Sequence, residues 1–273
     1  MTDAALELNQ VARTLLLPLW GRAELTRAGS PILSDPRALE LVSKMAEAGF
    51  DFARIRADLD YSKNLCWLAR ARQLDDKIRS FLTAHPNAHV VNLGAGLDTT
   101  FARVDNGRLR WIDLDVPEVI ALRRKWLPES DRSRALAASL HDSGWMSELP
   151  ERTPSLFIAG GVLFYFTEAQ VMALLRQMGR RFSGSEIVFD AFTPAAVERA
   201  NGMLQRVGME DAVMRWGLAD AKALESWGVD LEVLDQLEYF RGLDLRGVPF
   251  RTRIMTVANR LLRAMTVVHC RWR

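Results

Sequence analysis

The stretch "VVNLGAGLDTTF", residues 90–101, reads as a buried strand that runs straight into a glycine loop. Two valines and a leucine form a short apolar run, and Gly94 and Gly96 follow it at once. An apolar run with little polar alternation is what a strand covered on both faces requires. Glycine after such a strand lets the backbone approach a neighbour closely, because no Cβ intervenes. The same glycines also suit a tight strand-to-helix turn, so the loop by itself leaves open whether a ligand lies there.

Working outward, the rhythm of the chain changes at Pro86. After it, "AHVVNLG", "RLRWIDLD", "SRALAASL", "PSLFIAGGV", "SEIVFDAF" and "LEVLDQLEYF" read as six strands. Helical patterns such as "VPEVIALRRKWL" and "EAQVMALLRQMGRRF" separate several of them, and "TVVHCRWR" reads as a last strand after a helix at 249–264. Strands alternating with helices predict an α/β fold with a mainly parallel central sheet covered on both faces. Before Pro86, residues 3–84 read as helices. "DAALELNQVARTLLLPLW" keeps helical apolar spacing until Pro18 interrupts it. "SDPRALELVSKMAEAG" offers Ser34 as a cap, Pro36 in the first turn and Gly49 past the end. "YSKNLCWLARARQLDDKIRSFLTAHP" is a long amphipathic helix ending before Pro86. The expected organisation is one integrated domain: an N-terminal helical cap or lid over 1–84 and a ligand-binding core over 85–273. A Met- and Trp-rich helical insert, 193–230, falls between strands five and six.

Bulk properties narrow the function. With 273 residues, 49% hydrophobic and 26% charged, the chain can bury a large core. A net charge of +2 gives no general reason to expect a nucleic acid partner. Arginine outnumbers lysine 31 to 5, and residues 241–273 hold eight arginines and one acid, Asp244. A solvated helix face is the reading preferred there over a polyanion site. Cys66 and Cys270 show no CxxC spacing, and His85, His89, His141 and His269 show no metal-ligand spacing, so neither a metal nor a disulfide framework is expected. "MTDAALELNQ" lacks a signal-peptide pattern, and no apolar run reaches the ~18 to 20 residues of a membrane span. The expectation is a soluble cytoplasmic protein without a membrane partner.

In an open α/β sheet, ligands lie outside the carboxyl ends of the strands, so the strand ends carry the functional argument. A phosphate loop is excluded because GxxxxGK[ST] is absent. A dinucleotide fingerprint would need glycine where Thr99 stands, and only about a dozen residues separate Gly96 from the next strand. Strand two ends "WIDLDVPE", where Asp113 or Asp115 can accept both hydroxyls of a ribose or simply cap the next helix. Strand three leads to "SLHDSGW": Asp142 can accept from an exocyclic amine and Trp145 can cover a ring, or Asp142 can be a turn residue. Strand four ends "FIAGGVLFYF", with Tyr165 four residues after Gly161. Four strand ends carrying glycine loop, acid, acid and aromatic residues in that order are far more specific than any one of them.

With these segments together, the chain resembles the leucine carboxyl methyltransferase superfamily of class I S-adenosylmethionine-dependent enzymes, in its bacterial polyketide O-methyltransferase branch. The likeness runs through "TLLLPLWGRA", "ILSDPRALELV", "RARQLDDKIRSFL", "VVNLGAGLDT", "WIDLDVPEVIALRRKWLPES", "SLHDSGW", "FIAGGVLFYF" and "RWGLADAKALESWG", and is most specific over 90–129. It implies a Rossmann-like class I methyltransferase fold and S-adenosylmethionine as cofactor. Gly94, Ala95 and Gly96 would pass under the methionine part, Asp115 would hold the ribose, and Ser139, Leu140 and Asp142 would face the adenine. Arg70 of "RARQLDD" would grip the cofactor carboxylate with its planar fork; without the resemblance it reads as a helix-surface ion pair with Asp75 or Asp76. Tyr165 would face the substrate; otherwise it is a core tyrosine. Two positions depart from the family pattern. Gly160, at a cofactor-binding position, replaces an acid, and Thr100 replaces an arginine.

The implied reaction is methyl transfer to a carboxylate or hydroxyl of a small, secondary-metabolite-like acceptor. A carboxylate is ionised at neutral pH and requires no general base, in keeping with the lack of an evident base in the acceptor-side segments. Met203, Met209, Met214 and Trp216 of the insert, with Leu17 to Arg22, would form a lid suited to a bulky apolar acceptor, or would be ordinary packing residues. A peptide C-terminal carboxylate is a less favoured acceptor. A protein that binds the cofactor without transferring its methyl group is the principal alternative, and a nicotinamide-dependent oxidoreductase a distant third.

Overall fold

The computed structural model describes residues 15–52, 60–150, 153–206 and 211–273. The first described helix, α1 (Leu16–Arg27), carries Pro18 in its first turn. Proline is tolerated there because the N–H it lacks has no intrahelical acceptor. Pro18 thus stands in the first turn of the described helix, and residues 3–14 of the expected helix lie outside the described residues. Helix α2 (Pro36–Glu47) is capped by Asp35, not Ser34: the Asp35 carboxylate accepts the Ala38 N–H at 3.0 Å, and Pro36 takes the first helical position. The long helix α3 (Tyr61–Ala84) is capped in the same way by Asp60, which accepts from the Lys63 N–H.

Seven strands follow: β1 (His89–Leu93), β2 (Arg110–Asp115), β3 (Ser133–Ala137), β4 (Ser155–Ala159), β5 (Glu186–Phe192), β6 (Leu231–Glu238) and β7 (Met265–Trp272). They form one sheet in the order β3-β2-β1-β4-β5-β7-β6. The first five run parallel, and β7 enters antiparallel between β5 and β6. The α/β class, the mainly parallel sheet and all seven expected strands are present. Between the strands lie α4 (Thr100–Val104), α5 (Pro117–Trp126), α6 (Glu168–Arg181), α7 (Pro194–Arg206) and α8 (Phe250–Leu262). Short 3-10 turns at Gly144–Glu148, Leu163–Tyr165 and Ala221–Trp227 complete the described helices.

Strand side chains alternate between two cores, as the two-residue pleat demands. Val91, Ile112, Phe157, Ile187 and Val268 point to one side, against Val171, Leu174, Leu175 and Met178 of α6. Val90, Trp111, Leu156, Val188 and Val267 point to the other, against Leu65, Leu68 and Ile78 of α3. Burying such a side chain contributes roughly 1.5–3 kcal/mol, which explains runs with so few polar interruptions. A third cluster joins Leu16 and Leu19 of α1 and Leu41, Val42 and Met45 of α2 to Leu97, just past β1, and to Leu204 of α7. It seats the N-terminal helices over the glycine loop. β1 pairs with β2 on one side and β4 on the other. The order of strand addition reverses there, and that reversal opens a crevice at the carboxyl ends.

Candidate functional site

A cavity of about 770 Å³ occupies this crevice. The ends of β1, β2, β4 and β5 supply its floor, α1 and α3 one wall, and α7 with residues 211–215 another. Gly94, Ala95, Gly96, Arg70, Asp115, Ser139, Leu140, Gly160 and Tyr165 all line it. Residues far apart in the sequence thus meet in one space, because parallel strands deliver their C-terminal ends to the same edge of the sheet.

Gly94 and Gly96 have φ of +66° and +49°, the left-handed region that side chains disfavour. Space forbids a side chain as well. A Cβ on Gly94 would lie 2.6 Å from Val162 Cγ2, and one on Gly96 2.9 Å from Leu15 Cδ2. The loop is thus pressed between the β4 end and the start of α1. Asp115 ties it to β2: one carboxylate oxygen accepts the Gly96 N–H and the other the Val116 N–H, each at 2.8 Å. Burial pushes the Asp115 carboxyl above its usual value, against the pull of those two N–H groups.

Asp113, two residues earlier on the same face of the strand, does not line the cavity. It is 2% exposed and accepts from Arg123 Nη2 at 2.6 Å, Trp111 Nε1 at 2.8 Å and Asn92 Nδ2 at 3.0 Å. Of the two strand-two acids, only Asp115 reaches the cavity.

Arg70 reaches across from α3 and pairs with neither Asp75 nor Asp76. Its Nη1 lies 3.2 Å from Asp190 Oδ2 on β5. Asp190 is fully buried and also accepts the Gly161 N–H at 2.6 Å and the Tyr239 hydroxyl at 2.7 Å. Burial alone would lower the Arg70 pKa, but Asp190, Tyr239 and Asp98 outweigh it and hold the guanidinium charged. Asp75 instead receives Arg103, through Nε at 2.8 Å and Nη2 at 3.0 Å, and Asp76 receives Arg72. Arg103 Nη1 also reaches Asp35 at 2.6 Å, and its Nη2 reaches Thr100 Oγ1 at 2.8 Å. The guanidinium in this quarter thus comes from Arg103, one helical turn past Thr100.

Two groups escaped the sequence reading, Asp98 in the cavity wall and Asp190 buried behind Arg70. Asp98 lines the cavity and accepts the Thr100 N–H at 3.1 Å and Asn92 Nδ2 at 3.4 Å; its Oδ1 lies 3.6 Å from Arg22 Nη2. Burial would raise its carboxyl, but Arg22 and Arg103 outweigh that and pull it down to about 2. Asp190 had a readable signal, a lone acid inside the apolar run "EIVFDAF". Asp98 stood in plain view in "GLDTTF", but nothing local told it from a turn residue.

Other expectations meet a different placement. Asp142 is solvent-exposed and outside the cavity wall; its N–H turns back to the Ser139 carbonyl at 3.1 Å, and residues 138–141 line the wall instead. Trp145 is 3% exposed and packs on Phe157 in the core, so it covers nothing in the cavity. Trp216 likewise sits in the core, between Phe189 and Trp227. Met203 and Met214 do line the cavity, with Leu17, Pro18 and Arg22 of α1, whereas Met209 lies outside the described residues. A Cβ at Gly160 would come within 2.9 Å of Leu74 Cδ1, so a longer side chain there would have to displace α3's leucine.

The chain resembles known proteins. Residues 16–179 match the family described as leucine carboxyl methyltransferase. The chain is 32% identical to the tetracenomycin polyketide synthesis O-methyltransferase TcmP of Streptomyces glaucescens, over 94% of this chain and 97% of that one. It is 33% identical to the S-adenosyl-L-methionine-dependent methyltransferase dpfgK of Gibberella zeae, over 67% of each chain. Among solved structures, a DUF574 family protein of Streptomyces avermitilis MA-4680 superposes with a TM-score of 0.60 at 13% identity, covering 95% of this chain and 97% of that one. At that identity the likeness speaks for the fold alone.

Proposed function

The chain belongs to the leucine carboxyl methyltransferase family and is an S-adenosylmethionine-dependent methyltransferase; from that premise we propose that it methylates an oxygen, carboxylate or hydroxyl, of a small and largely apolar acceptor. One observation carries the reading. A single cavity holds a fixed cation and a fixed anion on its floor, a carboxylate at the glycine loop, and an apolar mouth.

The residues present fit the cofactor. Its amino acid end carries a carboxylate and an ammonium a few ångströms apart. Arg70, charged and held by Asp190, answers the first. Asp98, ionised and held by Asn92 and the Thr100 N–H, answers the second. Asp115 keeps acceptor capacity beyond its two backbone bonds, which suits a ribose diol. Ser139, Leu140 and His141 supply the wall past β3 on which a flat base can lie. The bound cofactor supplies a methyl group already activated by a sulfonium.

The chain's own residues then have to align and exclude water. Holding donor and acceptor at attack distance contributes on the order of 7–11 kcal/mol. Leu17 and Pro18 of α1 and Met203 and Met214 near α7 close the mouth with apolar surface. Asn201 fixes that side, exchanging two hydrogen bonds with the Met214 backbone at 2.8 and 2.9 Å. Tyr165 also lines the cavity and packs edge-on against Phe164 at 4.8 Å; in this reading its hydroxyl orients an acceptor oxygen. A carboxylate acceptor arrives ionised and requires no proton removed. The polyketide synthesis for which the Streptomyces glaucescens relative is named favours a polyketide-like acid or alcohol over a peptide.

Mass spectrometry of an acceptor panel incubated with deuterated-methyl donor tests the reading. The panel holds aromatic acids, phenols and peptides with a free C-terminal carboxylate. The expected product carries the labelled methyl on oxygen, base-labile if an ester, with S-adenosylhomocysteine formed in step. Donor binding without turnover across the panel would leave a cofactor-binding protein that does not transfer.

A further inference from the structure

Helix α8 is built the wrong way round for a helix that faces water. Phe250, Ile254, Val257 and Leu261 recur at helical spacing on one stripe, and they are 76%, 56%, 51% and 80% exposed. The opposite face is buried and mostly polar, with Met255 packed against the core. Thr252 and Thr256 are at most 4% exposed, and Thr252 Oγ1 meets Ser62 Oγ of α3 at 3.0 Å. A surface helix ordinarily turns its apolar stripe to the core, and a contiguous exposed apolar strip marks an interaction surface.

Charge says what the stripe fits. At 3.6 residues per turn, Arg251 flanks it on one side and Arg253 and Arg260 on the other. Residues 250–263 contain no acid, and residues 241–263 hold six arginines against Asp244 alone. Asp244 is itself taken by Arg246. We propose that α8 docks on an anionic lipid bilayer, lying in the interface with its apolar stripe among the acyl chains and its arginines on the headgroup phosphates. An apolar stripe framed by cations is the pattern of a helix that lies on a membrane instead of crossing it. None of the described helices is long and apolar enough to cross one. A second copy of the chain is the poorer occupant. In an antiparallel two-fold pair of α8 helices each flank faces its own copy, which sets Arg253 and Arg260 against arginines with no acid on the helix, Glu238 of β6 reaching Arg260 alone at 3.2 Å. The helix also shares a wall with the site: Asn259 in its last turn, and Ala264 and Met265 just past it, line the cavity. Docking by α8 would thus hold the cavity close to where an apolar acceptor partitions.

Flotation of the full chain with vesicles tests this, comparing phosphatidylcholine alone with phosphatidylcholine containing phosphatidylglycerol, at 0.1 and 0.5 M NaCl. Binding to the anionic vesicles is expected to exceed the neutral background at least tenfold and to weaken in high salt. Ile254→Glu with Val257→Glu should return it to background. Arg251→Gln with Arg260→Gln should weaken it and flatten its salt dependence. Near-ultraviolet circular dichroism and donor calorimetry confirm that each variant is folded. Binding no better than to neutral vesicles overturns the proposal, as does a double-glutamate variant that binds like the parent. A concentration-dependent dimer in light scattering that the same variant dissolves also overturns it and makes the stripe a seam between copies.

Discussion

Asp190 Oδ2 on β5 stands 3.2 Å from Arg70 Nη1 on α3, so the cation that faces the cavity is aimed by an acid 120 residues away. Asp190 is wholly enclosed, and Arg70 is 12% exposed. Removing one partner of such a pair leaves a buried charge unanswered, which costs about 3–5 kcal/mol. Asp190→Asn should therefore destabilise by about 3 kcal/mol in urea unfolding, and Asp190→Asn with Arg70→Met should recover part of that loss. Donor affinity should behave differently, falling at least tenfold in Asp190→Asn and not returning in the double variant. Recovery of both together would assign the pair to folding alone.

Asp115 divides its carboxylate between the glycine loop and the cavity. If it holds the ribose, Asp115→Ala should weaken the donor and S-adenosylhomocysteine alike, by tenfold or more in calorimetry. Asp115→Asn should keep part of the affinity, since its amide oxygen still accepts. A loss below twofold in the alanine variant would remove Asp115 from the ribose site.

The strands of the sheet were legible in the sequence because each announces itself by composition. "VVNL", "WIDL", "LFIA" and "IVF" need no tertiary context to read as buried. The glycine loop was legible for the same reason: left-handed φ at Gly94 and Gly96 is a local demand met by a local residue. Side-chain partners were not. Asp75 and Asp76 stand five and six residues past Arg70, off the i+3 and i+4 spacing at which helical side chains meet; Asp75 turns to Arg103 and Arg70 to Asp190. Nothing in α3 carries that choice, which is made by what packs against it. Asp142 and Trp145 show the converse. Both types suit a base-binding wall, but the loop after β3 turns back on Ser139 and sends one to solvent and the other to the core.

Gly94 combines backbone strain with a missing gap, and the two can be separated. A Cβ there would meet Val162 at 2.6 Å. Gly94→Ala should abolish measurable donor binding and cost about 1–3 kcal/mol of stability, because its φ of +66° is adverse for any side chain. Adding Val162→Ala removes the clash and leaves the dihedral. The double variant should regain stability only in part. Full restoration would mean that crowding by Val162, and not the loop conformation, is what requires glycine.

Asp98 offers a prediction in pH. Arg22 and Arg103 outweigh the cost of burial and pull its carboxyl from 3.8 to about 2 in the folded chain. A folded pKa below the unfolded one means that the ionised form favours folding. The stabilisation is fully present above the unfolded value and is lost as pH falls toward 2. A shift of this size is worth on the order of 2 kcal/mol. Urea unfolding of the parent and of Asp98→Asn at pH 6, 4, 3 and 2 isolates the group, since every other carboxyl is common to both chains. The variant should be less stable at pH 6 by about that amount, and the gap should narrow below pH 4 and close near pH 2. Donor binding gives a second readout: if Asp98 answers the cofactor's ammonium, the variant should bind at least tenfold more weakly at pH 7. Parallel stability curves down to pH 2 would show that the Asp98 charge is not coupled to folding, and unchanged donor affinity would return the ammonium to another residue.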